Sequence, residues 1–120
     1  MSNKVYVGED GFIHGIFEKD QNYDSINKAA QEVEQLIKAV RQQNKRALVL
    51  VDVVKVGKQD SGARKAGWEG LLRLNYDKWA MFTSNPFIKN VANLVAKATG
   101  RSHKIKVFTT KNEAVRWLKE

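Results

Sequence analysis

The sequence predicts an α/β fold in which buried strands alternate with amphipathic helices. The apolar runs 47–54, 79–82 and 105–108 are typical of buried strands, and a segment with helical spacing follows each of them. Strands that alternate with helices form mostly parallel sheets with right-handed crossovers. Because a hairpin pattern comes first, we expect a mixed, mostly parallel sheet with four helices and the element order ββαβαβαβα.

The first elements are predicted from turn residues and spacing. Alternating apolar residues on both sides of Gly8-Glu9-Asp10-Gly11 indicate an N-terminal β-hairpin over about 4–7 and 12–18. Asp24 is the predicted N-cap of the first helix. Apolar residues at intervals of three and four then predict an amphipathic helix over about 25–43.

The middle of the chain combines a central strand with a helix. The run 47–54 is apolar on both strand faces, as in a strand that is covered by helices on both sides. The segment Lys55–Gln59 is predicted to be a loop. A helix over about 61–74 follows, with Asp60 or Ser61 as its N-cap. Small residues on its apolar face indicate close packing against the sheet.

Start and stop signals define the last two helices. Ser84-Asn85-Pro86 predicts a helix start after the strand 79–82, because Pro is favoured in the first helical turn. Gly100 is expected just beyond the end of this helix. After the last strand, Thr110 and Glu113 have the spacing of a capping box and predict the final helix.

Composition limits the classes of site. The 120 residues include no Cys and two His, which excludes disulfides, thiolate zinc sites and cysteine nucleophiles and makes a metal cluster or a histidine triad unexpected. With no repeat, linker or low-complexity tract, we expect one domain over residues 1–120. With no signal-peptide pattern and no membrane-spanning run, we expect a cytoplasmic protein.

The excess of positive charge lies in the second half of the chain. The formal net charge is +8, and residues 61–120 carry twelve basic and four acidic side chains, whereas residues 1–60 carry nine of each. A basic stripe on or just after the third predicted helix could contact nucleic acid or another anionic surface; its residues are Lys89, Lys97, Arg101 and Lys104. No nucleic-acid motif accompanies the stripe, and an ordinary solvated helix face is the alternative.

Polar side chains gather where the central strand leads into the second predicted helix. Ligands of open α/β sheets bind beyond the carboxyl ends of the strands, where helix N-termini present N–H groups. Asp52, Asp60 and Ser61 mark this region. A phosphate, carboxylate or phosphoserine bound there would also meet nearby basic and aromatic side chains, namely Lys55, Lys58, Arg64, Lys65 and Trp68. The alternative is that Asp60 or Ser61 only caps the helix.

The same segment carries a family resemblance. Leu50-Val51-Asp52 and Asp60-Ser61-Gly62 resemble the strand-end and helix-start signature of STAS domains, which are named for sulfate transporters and anti-sigma-factor antagonists. The tail from Val107 to Leu118 is similar to the phrase Val-Phe-x-x-x-x-Glu-Ala-x-x-Trp-Leu of the SpoIIAA-like, or STAS/SEC14, branch. The element order agrees throughout, so the resemblance covers nearly the whole chain and implies a STAS-like fold.

The resemblance also implies a function by binding, and we expect no cofactor. In STAS antagonists a serine of this motif is phosphorylated by an anti-sigma-factor kinase, and Ser61 is the single serine of the motif here. The SpoIIAA-like branch is associated with small apolar or lipid-like ligands. We expect a non-enzymatic module that docks a protein partner, or a small anionic or lipid-like ligand, near the start of the second helix. Peripheral membrane contact and a homodimer stay open.

A second hypothesis is a carrier of a small hydrophobic ligand in a cavity between the sheet and the helices. Five aromatic side chains could line such a cavity, or could all belong to the core: Trp68, Trp79, Phe82, Phe87 and Trp117. An enzyme is the least favoured class. Asp52, Lys55 and Asp60 could form an acid–base site, but nothing in the sequence fixes a nucleophile, a base and an orienting group in the required geometry, and there is no phosphate-binding loop.

Overall fold

A five-stranded sheet organises the computed structural model, which describes residues 3–120. Met1 and Ser2, which begin the segment searched for a signal peptide, lie outside the described residues. The elements follow one another as β1 (Lys4–Val7), β2 (Ile13–Ile16), β3 (Lys19–Gln21), α1 (Tyr23–Gln42), β4 (Leu48–Asp52), β5 (Val56–Gln59), α2 (Ser61–Arg73), β6 (Lys78–Phe82), α3 (Pro86–Ala98), β7 (Ile105–Phe108) and α4 (Lys111–Leu118).

The main sheet confirms the predicted class and order. Its strands lie in the order β1-β2-β4-β6-β7. β1 and β2 are antiparallel, whereas β2, β4, β6 and β7 pair in parallel. The sheet is therefore mixed and mostly parallel, with the N-terminal hairpin at one edge and helices in the connections, as the pattern ββαβαβαβα requires.

The prediction that the segment Lys55–Gln59 is a loop is wrong. Within Lys55–Gln59, Val56–Gln59 forms β5, which pairs in parallel with β3 to make a second, two-stranded sheet. The Asp20 carboxylate accepts a hydrogen bond from the Lys58 backbone N–H at 2.7 Å and fastens the two strands together. Neither strand has alternating apolar residues, so the sequence contained no pattern that indicates this pair.

The first helix begins earlier than predicted. Its N-cap is Asn22 and not Asp24. The Asn22 side chain accepts a hydrogen bond from the Ser25 backbone N–H at 2.8 Å, and Ser25 Oγ accepts one from the Asn22 backbone N–H at 3.0 Å. This reciprocal capping box satisfies two backbone donors at once, which Asp24 inside the first turn cannot do.

Side chains bury both faces of the main sheet. On one face, apolar residues of α1, α2 and α3 pack against Val49 and Val51 of β4 and against Trp79 of β6. On the other face, α4 packs against Leu50 of β4 and Phe82 of β6. The central strands are therefore covered on both sides, as their apolar runs predicted.

The hairpin turn is closed by a pair of side chains. Gly11 has a φ of +82°, a conformation that glycine adopts without strain. The two Asp10 carboxylate oxygens lie 3.0 and 2.9 Å from His14 Nε2. Tyr6 stacks on the buried imidazole with ring centroids 4.9 Å apart. A Cβ at Gly8 would lie 2.8 Å from both Asp10 Oδ1 and His14 Nε2, so a larger residue there would force this pair to shift.

Truncation of Leu118 is expected to lower the free energy of unfolding. This α4 side chain is fully buried, and Leu118→Ala should cost about 2–5 kcal/mol because it leaves a cavity in the core. Leu94→Ala is the matched control, since Leu94 on α3 is 63% exposed, and its truncation should cost less than about 0.5 kcal/mol. Urea denaturation followed by circular dichroism measures both values, and equal losses would contradict the burial of α4.

Asp10 is expected to stabilise the fold at neutral pH and not at strongly acidic pH. Partial burial acts to raise the pKa of Asp10, but hydrogen bonds from His14 and the Phe12 backbone, with attraction to His14 and Lys111, hold this pKa below its ordinary value. A carboxylate with a lowered folded-state pKa stabilises the fold above its unfolded-state pKa, and loses that effect as pH falls through the folded-state value.

Asp10→Asn should therefore lower the melting temperature at neutral pH, and the difference from the wild-type protein should shrink as the pH falls below the unfolded-state pKa of Asp10. Thermal unfolding at graded pH measures the difference. A difference in melting temperature that stayed constant down to acidic pH would show that the charge of Asp10 does not contribute to stability.

Candidate functional site

The two carboxylates predicted between the central strand and α2 accept hydrogen bonds from backbone N–H groups. Asp60 Oδ1 accepts a hydrogen bond from the Ala63 N–H at 2.7 Å, so Asp60 is the N-cap of α2. Asp52, at the end of β4, accepts one from the Val54 N–H at 3.0 Å and shapes the following turn. Ser61 is the first residue of α2, and it is exposed.

The predicted cationic and aromatic residues divide into two groups. Arg64 and Trp68 of α2 line an apolar cavity. Arg64 Nη1 also donates a hydrogen bond to the Gln59 carbonyl at 2.8 Å, which fixes the guanidinium near β5. Lys55, Lys58 and Lys65 are exposed and lie outside the cavity lining.

The cavity lies above the main sheet, between α1, α2 and α3. Its volume is about 150 Å³, and most of its lining is aliphatic or aromatic. The sheet contributes Val51 and Met81, for example, and α3 contributes Val91 and Val95. Charged or amide side chains are supplied by Gln21, Gln59 and Arg64. An apolar ligand would therefore contact mostly apolar surface.

Small residues of α2 explain why the space is not filled. The sequence predicted that they pack against the sheet, but α2 packs chiefly along α1. A Cβ at Gly70 would lie 3.6 Å from Ala30 Cβ of α1, whereas a Cβ at Gly67 would meet no atom within 4 Å. Gly67 lines the cavity, so no side chain at this position fills it. α3 packs chiefly along β7 and does not close this gap.

The five aromatic residues proposed for a pocket or a core are split by the sheet. Trp68, Trp79 and Phe87 line the cavity, whereas Phe82 and Trp117 pack in the core on the opposite face. Trp68 and Phe87 are 39% and 61% exposed, so they reach both the cavity and solvent. Trp79 is buried, and its indole N–H has no hydrogen-bond acceptor among residues 3–120.

The predicted basic stripe does not form a single row of solvated cations. Arg101 donates hydrogen bonds to the Leu71 and Leu72 carbonyls at 2.8 and 2.9 Å, so it caps the C-terminal end of α2. It also approaches Tyr76, whose pKa is raised by burial. The remaining members lie as follows: Lys89 Nζ is 3.4 Å from Thr109 Oγ1, Lys97 is exposed on α3, and Lys104 is half-buried before β7.

Sequence reasoning missed two polar residues of the lining. Gln21 and Gln59 belong to β3 and β5, and these strands have no apolar alternation that marks them as part of a sheet. Among residues 3–120, no three His, Asp or Glu side chains are grouped so that they could hold a metal ion. Within the same residues, no helix has both the length and the apolar content that a bilayer crossing needs.

Comparisons with known proteins identify the fold and the family. An uncharacterized protein of the DUF3478 family from Shewanella loihica PV-4, with a SpoIIAA-like fold, superposes with a TM-score of 0.63. The superposition covers 98% of this chain and 92% of that chain at 12% sequence identity, so the SpoIIAA-like fold is shown. No curated protein matches. A family model matches residues 6–120, and the chain therefore belongs to the family described as Domain of unknown function (DUF7793).

Proposed function

We propose that this protein is a non-enzymatic binding module that holds a small apolar ligand, or the apolar part of an amphiphile, between α2 and α3. The observation that carries the proposal is the apolar cavity bordered by the partly exposed side chains of Trp68 and Phe87. Ligand pockets are typically apolar with a few polar groups that fix orientation. Gln21, Gln59 and Arg64 are the polar groups available here.

The size of the cavity limits the ligand. A volume of about 150 Å³ is similar to that of an engineered apolar cavity that stays dry and binds benzene. The ligand we propose is therefore a single ring or a short alkyl chain, unless α2 and α3 move apart. The indole N–H of Trp79, which is a lining residue, has no acceptor among residues 3–120.

Arg64 supports an anionic group on the ligand. It lies in the first turns of α2, where the helix dipole also favours negative charge. A carboxylate at this end could accept hydrogen bonds from the guanidinium, since Arg binds carboxylates through two parallel N–H groups. Short fatty acids and aromatic acids combine both features and are the first ligands to test.

Two measurements test the proposed function. Native mass spectrometry of protein purified without detergent should show a bound small molecule, or a mass shift after addition of fatty acids of graded length. Binding should also change tryptophan fluorescence through Trp68 and Trp79, and Trp117→Phe should keep this change because Trp117 lies on the other face of the sheet. No bound mass and no fluorescence change with any chain length would refute the proposal.

Filling the cavity from Gly67 should abolish ligand binding. Gly67→Leu places a side chain in the open space beside α2, and we expect at least about a tenfold loss of affinity because the leucine occupies the ligand volume. Fluorescence titration with the best fatty acid measures this loss.

Two control variants accompany Gly67→Leu. Gly67→Ala should keep binding and raise the free energy of unfolding by about 0.5–1 kcal/mol, since alanine favours helix. Gln35→Leu adds the same side chain on the exposed face of α1 and should leave affinity unchanged. Equal affinity of Gly67→Leu and wild type would place the ligand elsewhere.

A second candidate function, regulated docking of a protein partner, is favoured by the position of Ser61. This serine is exposed at the first helical position, with Arg64 and Lys65 in the following turn. A phosphate there would be stabilised by the helix N-terminus and by cations. Phosphopeptide mass spectrometry of protein isolated from its native host should detect phosphorylated Ser61. Absence of the phosphate under all growth conditions would remove the phosphorylation-dependent form of this candidate.

A further inference from the structure

We propose that the outer surface of α2 and α3 docks onto an anionic lipid bilayer. The docking surface consists of four partly exposed apolar side chains and the cations beside them. Trp68 and Leu72 of α2 are 39% and 42% exposed, and Phe87 and Leu94 of α3 are 61% and 63% exposed. Trp68 and Phe87 also line the cavity, so the docking surface borders the cavity.

Helical spacing places each pair of apolar residues on one helix face. Trp68 and Leu72 are four positions apart, and Phe87 and Leu94 are seven positions apart, so each pair shares one helix face. Buried residues of α3, such as Val95, face the sheet instead. The two helices therefore present large apolar side chains to water on the same side of the sheet, which is a mark of an interaction surface.

Cations lie on the same faces as the apolar residues. Arg64 and Lys65 precede Trp68 by four and three positions, and Lys97 follows Leu94 by three. Residues three or four apart are neighbours on a helix surface. Trp, Phe and Leu flanked by Lys and Arg are the composition of helices that lie in the interface of a bilayer, where the rings reach the headgroup level and the cations contact anionic lipids.

The charge balance favours a bilayer over a second copy of this chain. Within α2 and α3, Glu69 is the one acidic residue, whereas the two helices hold five basic ones. Arg73 is partly neutralised by a 2.8 Å ion pair with Glu34. Two copies meeting through this surface would bring like charges together, whereas an anionic membrane attracts the cations and takes up the apolar side chains.

Docking is separate from ligand binding. The docking surface does not need a ligand in the cavity, so vesicle binding is measured without a ligand. A failure to bind vesicles would leave the proposed function untouched.

The probes are vesicles of phosphatidylcholine alone and vesicles of equal parts phosphatidylcholine and phosphatidylserine. Co-sedimentation should show binding to the mixed vesicles only, and about 1 M salt should weaken it strongly. Because Trp68 is the most exposed of the three tryptophans, binding should also shift its emission to the blue.

Two double variants test the parts of the surface separately. Phe87→Ser with Leu94→Ser should lower vesicle binding at least about tenfold, because two apolar side chains no longer insert. Arg64→Glu with Lys65→Glu should lower it by a similar factor or more. All substituted side chains are exposed, and circular dichroism checks that each variant is folded.

Matched controls lie elsewhere on the molecule. Val7→Ser removes an exposed apolar side chain from β1, and Lys45→Glu with Arg46→Glu makes the same charge change in the exposed segment before β4. Both should bind vesicles like the wild type. The proposal is overturned if wild type fails to bind mixed vesicles, or if the controls lose binding as strongly as the double variants. Binding to polyglutamate and not to vesicles, or a dimer lost in Phe87→Ser with Leu94→Ser, would assign the surface to an acidic protein or to a second copy.

Discussion

The arrangement of the helices depends on one constraint, the burial of β4 on both faces. Val49 and Val51 face one core and Leu50 faces the other. Successive parallel strands β2, β4, β6 and β7 are added in one direction across the sheet, and crossovers between parallel strands are nearly always right-handed. The helices α1, α2 and α3 therefore lie on the same face. The other face can be covered only by a helix outside the crossovers, and α4, which follows the last strand, covers it.

This unequal division leaves the cavity on the side with three helices. There α2 packs along α1 and α3 packs along β7, and Gly67 brings no side chain into the gap. On the α4 side, large rings fill the space, with Phe108 and Trp117 centroids 5.9 Å apart. At the end of α2, Arg101 satisfies two helix carbonyls, which fixes the C-terminal end of the helix that borders the cavity.

The sequence predicted the elements whose signals are local and missed those that depend on tertiary contacts. Pro86 and the Thr110–Glu113 capping box predicted two helix starts because the required groups lie within one turn. β3 and β5 were missed since their pairing depends on a contact between Asp20 and Lys58 from distant segments. For the five aromatic residues, the sequence left open whether they line a cavity or belong to the core. A glycine such as Gly67 weakens a helix prediction, but the sequence does not show whether another side chain fills the space beside it. Whether that space is filled depends on the distance between neighbouring helices.

The sequence also did not show where the positive charges lie in the fold. The basic side chains that give residues 61–120 their excess of positive charge are in different environments. Arg101 binds α2 carbonyls, and Lys106 lies with its Nζ 5.5 Å from the centroid of the Trp117 ring on the α4 side. Arg64, Lys65 and Lys97 are exposed beside uncovered apolar side chains of α2 and α3. An apolar ligand has low solubility in water, so a binding protein gains if it can approach the lipid phase that holds the ligand. The helices that border the cavity are also those that carry the exposed cations and rings, so the proposed ligand site and the proposed docking surface lie on one face of the fold.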